Sequence, residues 1–464
     1  MPDPHKTAIV ILTYNNLAYN KDCINSIRTY TAPDAYELIV VDNGSSDGTR
    51  EWLKEQSGIK LLLNEENAGF PKGCNMGAAL AEKDSDILLL NNDTIVTANW
   101  LENLQRCLYS AEEIGAAGAV CNHNENLQWE NLPYGDDFEK MQALAKENNR
   151  PDSARWEEKL FLIGFCVLIK RTVFDAVGPL DEAYSPGYVE DNDYSLRILT
   201  AGYRLMLCHD CFIHHYLGSQ FRKDLNRFYP VLHKNRAIFQ AKWGFSAFAF
   251  DEIRFASLRL MKEPSFQAPF RVLELGCNIG ATLLKLKWEH PDAELYGVEP
   301  DGAKAKIAGC VATVVHAPVD TFSLAVEPGH FDCILIGDLL GSVAQPEAFL
   351  KNLRAYLKPG GVLIGELQNP MHVRVVKALL KGEWRYGPQD VRNSANRNEY
   401  ARDDISTLAA KCGYKEPFVF HWYSTLTEEE KELSRQLGAL CGEQRTYLYG
   451  TYLFTFRFEK QVDG

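Results

Sequence analysis

Two blocks of the chain repeat one pattern, in which a short β-branched or aliphatic run meets a polar break and then a longer stretch of helical spacing. In the first block "AIVILTY" (8–14), "ELIVVDN" (37–43), "KLLLNE" (60–65) and "DILLLNND" (86–93) read as strands. The stretches "LAYNKDCINSIRTY", "GTREWLKEQ" and "GFPKGCNMGAALAE" read as the helices between them. The second block offers "FRVLELGC" (270–277), "ELYGVEPD" (294–301), "ATVVHA" (312–317), "FDCILIGD" (331–338) and "GVLIGEL" (361–367), and its end "RTYLYGTYLFTFRFEK" alternates like a closing antiparallel pair. Such alternation predicts parallel sheets covered on both faces. The fold class is therefore α/β, as two tandem α/β domains, because 464 residues exceed the roughly 250–300 at which one core stops growing. The prolines of "KEPSFQAPF" mark a boundary near 264–269, which divides the chain into a domain over 1–245, a helical linker over 246–268 and a domain over 269–464.

The formal charge of −13 argues against sequence-independent nucleic-acid binding, which relies on dense Lys and Arg. No basic segment leads into an apolar stretch, and no window approaches the roughly 18 uninterrupted apolar residues of a membrane span. The expectation is a cytoplasmic protein with at most peripheral membrane contact. The twelve cysteines fall inside apolar elements, as reduced and packed thiols do. Cys208-His-Asp-Cys211, followed by His214 and His215, has zinc-like spacing, but a second cysteine pair at matching spacing is missing.

In open α/β sheets ligands lie outside the carboxyl ends of the strands. Three of the first four strands end in "TYNN", "VDNGSSDGT" and "LNNDT". Thr13, Tyr14 and Asp42 can embrace a nucleoside, with Asp42 accepting from a ribose or a base N–H; a turn followed by a helix cap is the plainer explanation of "DNGSSDGT". Asp93 leaves a buried strand at the sheet's rim, where a carboxylate can coordinate a hard divalent cation bridging two phosphates.

Taken together, "ILTYNN", "VVDNGSSDGT", "NEENAGFPKGCNMG", "LLLNNDT", "FLIGFCVLIKRTVFDAVGPLDEAYSPGYVEDNDYSLRILTAGYR" and "FIHHYLGS", spanning residues 8 to about 219, resemble the family 2 glycosyltransferases, in particular bacterial rhamnosyltransferase-like members. The resemblance implies a GT-A nucleotide-diphospho-sugar transferase fold using Mn²⁺ or Mg²⁺. It puts Asp93 at the last position of the metal-binding acidic motif, with asparagines before it, and makes His215, or its neighbour His214, the further metal ligand. Asp191 in "VEDND" matches the family's catalytic base, with Glu190 and Asp193 orienting neighbours or acceptor hydroxyls. Thr13, Tyr14, Asn15, Asp42, Asn67, Gly69 and Asn92 fall at the nucleotide sugar, while Asn75 shapes the same loop and Lys72 is either a phosphate contact or a solvated lysine.

The second block opens with "VLELGCNIGATL", where glycines after a strand let a ligand approach and the next helix offers free N–H groups. Its second strand ends at Glu299, placed to bind both hydroxyls of a ribose. With "FDCILIGDLL" and "LKPGGVLIGEL" following, residues 270 to about 420 resemble class I S-adenosylmethionine-dependent methyltransferases, a Rossmann-like fold. Carried over, Glu274, Gly276, Cys277 and Gly280 surround the cofactor's methionine part, Glu299 holds its ribose, and Asp338 stands at the active-site mouth. Related sugar O-methyltransferases have an acidic-His pair after the fourth strand, where this chain reads "DLLGSVAQP", and a further His in a later loop, where it reads "DVRNSANRNEYARDD". Asp320 substitutes for the usual adenine-contacting acid, and His316 and His372 are candidate bases.

Two readings follow. In one, the enzyme transfers a sugar from a nucleotide sugar such as dTDP-rhamnose or a UDP-sugar to a glycan, glycolipid or glycoprotein acceptor of a bacterial surface or flagellum, and then O-methylates the glycan. In the other, the methyltransferase-like half is a non-catalytic scaffold.

Overall fold

The computed structural model describes residues 6–122, 128–216, 225–261, 269–383, 396–442 and 446–461. It divides into two units, Met1–Asp251 and Glu252–Gly464.

The front unit is built on strands β1 (Thr7–Thr13), β2 (Tyr36–Asp42), β3 (Ile59–Leu63), β4 (Asp86–Asn91), β6 (Ile114–Val120), β7 (Trp156–Lys159), β8 (Cys166–Ile169) and β9 (Arg204–Phe212), ordered β3-β2-β1-β4-β8-β6-β9-β7. Strands β3 to β4 in that order are parallel, as expected from the alternation. The remainder is mixed, since β8 lies antiparallel between β4 and β6, and β7 antiparallel to β9. The all-parallel expectation fails there: β7 and β8 both run against β6, although the helix Phe138–Asn148 lies between β6 and β7. A separate two-stranded ribbon pairs β5 (Thr94–Ile95) with β10 (His214–His215).

Strands β1, β2 and β4 are buried along nearly their whole length, so their Ile, Val and Leu runs are covered on both faces. One cover is the helix Phe70–Ala78, whose glycines explain "GFPKGCNMG" physically. A Cβ on Gly73 would come within 2.3 Å of Leu12, and one on Gly77 within 2.4 Å of Val10, so this helix lies close against β1 through a glycine face.

The rear unit orders β13 (Thr313–His316), β12 (Glu294–Glu299), β11 (Arg271–Leu275), β14 (Phe331–Gly337), β15 (Leu357–Gln368), β17 (Thr451–Glu459) and β16 (Phe418–Tyr423). The first five are parallel, and β17 is inserted antiparallel to both β15 and β16. The expected closing pair inside "RTYLYGTYLFTFRFEK" is instead the helix Thr446–Gly450 followed by the single strand β17, whose partners come from earlier in the chain. Phe454, Phe456 and Phe458 alternate inward on β17 and are fully buried. Gly365 on β15 makes room for them, since a Cβ there would sit 2.4 Å from the Phe456 ring.

The stretch expected as a linker is shared out: Ala247–Asp251 is a 3₁₀ turn of the front unit, and the helix Phe255–Leu260 packs on β15 and β17. The proline-marked boundary from 262 to 268 lies outside the described residues, as do 217–219 of "FIHHYLGS" and 390–395 of "DVRNSANRNEYARDD". Among the described residues no helix is long and apolar enough to cross a membrane.

The close glycine face carries a prediction. Gly77→Ala pushes a methyl into the β-branched Val10, and overpacking of this kind costs about 1–3 kcal/mol. Urea unfolding of the front unit's transition is expected to show that loss, whereas Gly58→Ala, with nothing within 4 Å, tests only its left-handed φ of 71°.

Candidate active sites

In the front unit the carboxyl ends of β1, β2 and β4 meet as one polar surface. Asn15 and Asn16 take left-handed φ values of 57° and 64°, which asparagine tolerates, and so turn the chain sharply after β1. The turn is tied to the loop after β2: the Asn15 N–H donates to Ser45 Oγ (2.7 Å) and the Ser46 N–H to Asn15 Oδ1 (2.8 Å). Tyr14 stands at the rim, 49% exposed. Thr13 and Asn92 are spent below it, with Thr13 Oγ1 (2.7 Å) and Asn92 Nδ2 (2.8 Å) both donating to Asn20 Oδ1.

Asp42 is fully buried at the end of β2. Its Oδ2 accepts from the Ser45 N–H (3.1 Å) and faces Arg50 Nε (3.4 Å), while Oδ1 is buried with no hydrogen-bond partner. A buried acceptor left open is costly, about 1–3 kcal/mol, and is the chemical counterpart of an N–H or O–H donor on a ligand. Asn67 turns inward instead. Its Oδ1 accepts from Asn43 Nδ2 (3.0 Å) and the Gly69 N–H (2.9 Å), shaping the loop. Gly69 sits at φ 86°, and a Cβ there would touch Ser185 and Pro186 at 3.0–3.1 Å. Asn75 exchanges hydrogen bonds with the Leu180 backbone (2.9 Å each), and Lys72 is exposed.

Asp93 follows β4, and the antiparallel β5–β10 ribbon returns His215 to its side, with Nε2 3.1 Å from Asp93 Oδ1. The two histidines have opposite fates because successive strand residues face opposite ways. His215 stacks on Phe165 (5.2 Å between centroids), whereas His214 turns away and pairs its Nδ1 with Tyr134 Oη at 2.7 Å. Burial opposes a charge on His215, but Asp93 and Cys121 together raise it to about 9. Burial and the neighbouring His215 lower His214 to about 4. Of the two, only His215 is brought to Asp93.

Asp191 opens the helix Glu190–Thr200. Its Oδ2 faces the Gly164 N–H (3.4 Å). The next residue, Phe165, carries the ring that stacks on His215, and its carbonyl receives the Asn91 N–H (2.8 Å). Gly164 and Phe165 thus join the Asp191 carboxylate to the Asp93–His215 pair. Glu190 is buried behind them, beside Leu162, Val167 and Tyr194. Its Oε2 has no hydrogen-bond partner, and burial, with the adjacent Asp191 charge, raises it to about 8. Asp193 is wholly engaged in structure, accepting from Trp243 Nε1 (2.8 Å) and Lys242 Nζ (3.0 Å).

Among the described residues no cluster of three or more His, Cys, Asp or Glu side chains is placed to hold a metal. Cys208 and Cys211 are buried in β9, while His209 lies between Glu130 (2.8 Å) and Glu157 (3.0 Å), so the zinc-like spacing does not converge. Asp93 and His215 offer one oxygen and one nitrogen ligand. That set suits Mg²⁺ or Mn²⁺, which take one or two protein ligands and complete their shell with phosphate oxygens and water.

In the rear unit the turn after β11 has left-handed φ at Gly276 (63°), Asn278 (52°) and Gly280 (88°). A Cβ on Gly280 would lie 2.8 Å from Val311, so glycine is required there. Cys277 is buried beneath the turn, its Sγ within 2.6 Å of where a Cβ on Gly297 would be. Glu299 accepts from the Asn278 N–H (2.7 Å) and the Asp301 N–H (3.0 Å), which fixes its carboxylate against the turn. Glu274 is buried, and burial raises it to about 7 against the pull of Arg254.

Arg254 was missed by sequence reasoning, for "DEIRFASLRL" carries no motif. Its Nε donates to Glu274 Oε1 (3.1 Å), its Nη2 reaches Gly276 O (3.4 Å), and its Nη1 lies 3.7 Å from Asp338 Oδ1. Gly337, at φ 48°, lets it through, because a Cβ there would overlap the guanidinium at 1.8 Å. A carboxylate and a guanidinium side by side match the ammonium and carboxylate of an amino acid, which is the chemistry of a methionine moiety. His372 and His316 are each engaged with other partners, and His316 sits opposite Glu299 on the neighbouring strand. His372 caps the helix Val373–Leu380 and pairs with Ser424 Oγ (2.7 Å), burial lowering it to about 4, and His316 faces the Pro300 carbonyl (3.1 Å). Asp320 is exposed.

Known proteins match the chain in two separate stretches, the second of which begins inside the front unit. Residues 8–178 match the family model "Glycosyl transferase family 2", and residues 215–415 match a "Methyltransferase domain". The "Glycosyltransferase AglE" of Haloferax volcanii is 27% identical over 44% of this chain and 64% of its own length. The "O-antigen chain rhamnosyltransferase WbaN" of Salmonella anatum is 22% identical over 51% of this chain and 75% of its own. A "Ubiquinone biosynthesis O-methyltransferase" of Nitrobacter winogradskyi is 32% identical over 22% of this chain and 40% of its own. The chain thus spans about two thirds or less of two of these three relatives. The two units are transferase domains of different kinds. This chain joins a stretch that matches glycosyl transferase family 2 to one that matches a methyltransferase domain.

The Asp93–His215 pair is open to direct measurement. In protein stripped of divalent cations His215 is expected to titrate near 9, above the ordinary 6.5, so the stability it lends is complete below pH 6.5 and fades as pH rises through 9. Asp93→Asn removes the carboxylate's pull and leaves burial opposed by Cys121 alone, and the His215 ring resonances are then expected to titrate lower than in the parent in NMR.

Proposed function

We propose that the front domain is a metal-dependent inverting glycosyltransferase, and that the rear domain O-methylates the glycan using S-adenosylmethionine. The observation that carries the first half is the junction at Gly164 and Phe165, which puts the Asp191 carboxylate and the Asp93–His215 pair into one neighbourhood. In this reading the open Asp42 Oδ1 accepts from the donor's nucleoside and Tyr14 lies over it. Asn15 and Asn67 shape the loops around the nucleotide sugar. Asp93 and His215 hold Mn²⁺ or Mg²⁺, which when bound neutralises the departing nucleoside diphosphate. Asp191 takes the acceptor hydroxyl's proton as that oxygen attacks the anomeric carbon, and Glu190, kept neutral by burial, spares Asp191 a second nearby charge.

The donor is proposed as dTDP-rhamnose or a UDP-sugar, and the acceptor as a bacterial surface or flagellar glycan, glycolipid or glycoprotein met in the cytoplasm. The relative named as an O-antigen chain rhamnosyltransferase supports that choice. The test is a panel of nucleotide sugars with Mn²⁺, scored for turnover. Asp191→Asn, nearly unchanged in volume, is expected to keep donor affinity while turnover falls by about 10²–10⁴. Equal rates in variant and parent would remove Asp191 as the base.

For the rear domain, Glu299 would hold the cofactor's ribose, with Gly276, Cys277 and Gly280 forming the turn beneath it. Arg254 and Glu274 would face its carboxylate and ammonium, leaving Asp338 at the mouth where the acceptor oxygen must arrive. Glu299→Ala is expected to weaken S-adenosylmethionine binding about 10–100-fold in calorimetry and leave glycosyl transfer intact. One observation favours a second reading, a non-catalytic scaffold: both histidines considered as bases are engaged elsewhere, His372 in a helix cap and His316 at a carbonyl. Methyl transfer to the glycosylated product decides between the readings, and its absence from every product favours the scaffold.

A further inference from the structure

The loop that delivers Asp191 is held from outside itself. Gly187, Tyr188 and Val189 take φ values of 152°, 76° and 73°, and a β-branched valine resists that region strongly. Val189 immediately precedes Glu190 and Asp191, so this turn sets the direction in which the helix Glu190–Thr200 begins.

Asn235 lies on the helix Leu225–Trp243 and is fully buried. Its Nδ2 donates towards three carbonyl oxygens of the loop, Tyr184 O at 2.6 Å, Gly187 O at 2.8 Å and Tyr188 O at 3.0 Å. The amide's orientation follows from this set, because turning it over would set Oδ1 against three acceptors. The same helix also fixes both flanks. Lys234 Nζ donates to Ser185 O (3.2 Å), and Lys242 and Trp243 bind Asp193 two residues beyond Asp191.

We propose that Asn235 is a positioning residue for glycosyl transfer: its side-chain amide gathers the left-handed turn Gly187–Val189 and thereby aims the Asp191 carboxylate. The inference rests on the reading of Asp191 as the base. It assigns Asn235 no contact with donor, acceptor or metal. A carboxylate displaced by about 1 Å loses about 100-fold in rate while the donor site stays whole.

The test compares the full-length protein with Asn235→Asp, which keeps the size and removes the donors, and with the milder Asn235→Ser. Hydrogen exchange of the metal-free protein reads the loop without any substrate. Amides over residues 184–193 are expected to exchange about tenfold faster or more, while those of β1 and β4 keep the parent's protection. With dTDP-rhamnose and Mn²⁺ as probe, donor affinity is expected within about threefold of the parent and turnover to fall about 10–100-fold. In the double variant with Asp191→Asn, no further loss beyond Asp191→Asn alone is expected. Unchanged protection of 184–193 in both variants would overturn the proposal, as would a uniform loss of protection across the unit, which would make Asn235 an ordinary core residue. Full turnover in Asp191→Asn would instead overturn the base assignment and leave the exchange result standing, so the two failures are told apart.

Discussion

The contact between His215 and Asp93 closes 122 residues of chain, and most of the front site depends on it. It exists because β4 ends at the sheet's rim, the following residues form β5, and the chain returns after β9 as the antiparallel partner β10. The pairing of His215 with Thr94 sets one histidine towards Asp93 and its neighbour away, so a register slip of a single residue would exchange the two. The Tyr216 N–H donates to Asp93 O (2.9 Å) and the His215 N–H donates to Asn122 Oδ1 (2.8 Å), which pins that register from both sides.

The sites share a second constraint, the burial of carboxylates whose hydrogen bonding is incomplete. Asp42 and Glu190 each keep one oxygen in the interior without a partner, and Glu274 is buried with its acidity strongly weakened. Each such group costs about 1–3 kcal/mol, a large fraction of a domain's net stability of 5–15 kcal/mol. Ordinary packing would remove them. Asp42 closes β2, at the strand-end face where open α/β sheets bind ligands, and that gives its cost a reason: a donor arriving on a ligand meets an acceptor that has no competing partner.

Much of this was legible in the chain. The strand ends at Thr13, Asp42, Asp93, Glu274 and Glu299 follow from apolar runs that stop abruptly at polar residues, and a two-residue error at a boundary does not move a side chain to another edge of the sheet. The antiparallel entry of β8 was not legible, because "CVLI" is equally apolar in either direction. Nor was the insertion of β17 between β15 and β16, a pairing set by long-range packing of Phe454, Phe456 and Phe458 rather than by local pattern. Asn67 and Asn92 were expected at the nucleotide sugar and have their amides hydrogen-bonded within the protein, while Asn75 shapes a loop as expected, since one amide in a polar motif looks the same whether it faces a sugar or a backbone carbonyl.

Arg254 and Asn235 were invisible for a common reason. Each acts from a helix whose sequence is unremarkable, on a backbone that belongs to another element. Arg254 needs the absent side chain of Gly337, and Asn235 needs the left-handed turn that brings the carbonyls of Gly187 and Tyr188 beside that of Tyr184. In both cases the motif supplies the chemical group and a distant residue supplies its aim. A carboxylate at a strand end is held by the sheet only up to its Cα; the last rotation, which decides whether it faces a substrate, belongs to whatever packs against the loop. A sequence motif is therefore evidence for the kind of chemistry a site performs, while the geometry that makes it effective is written in positions with no motif of their own.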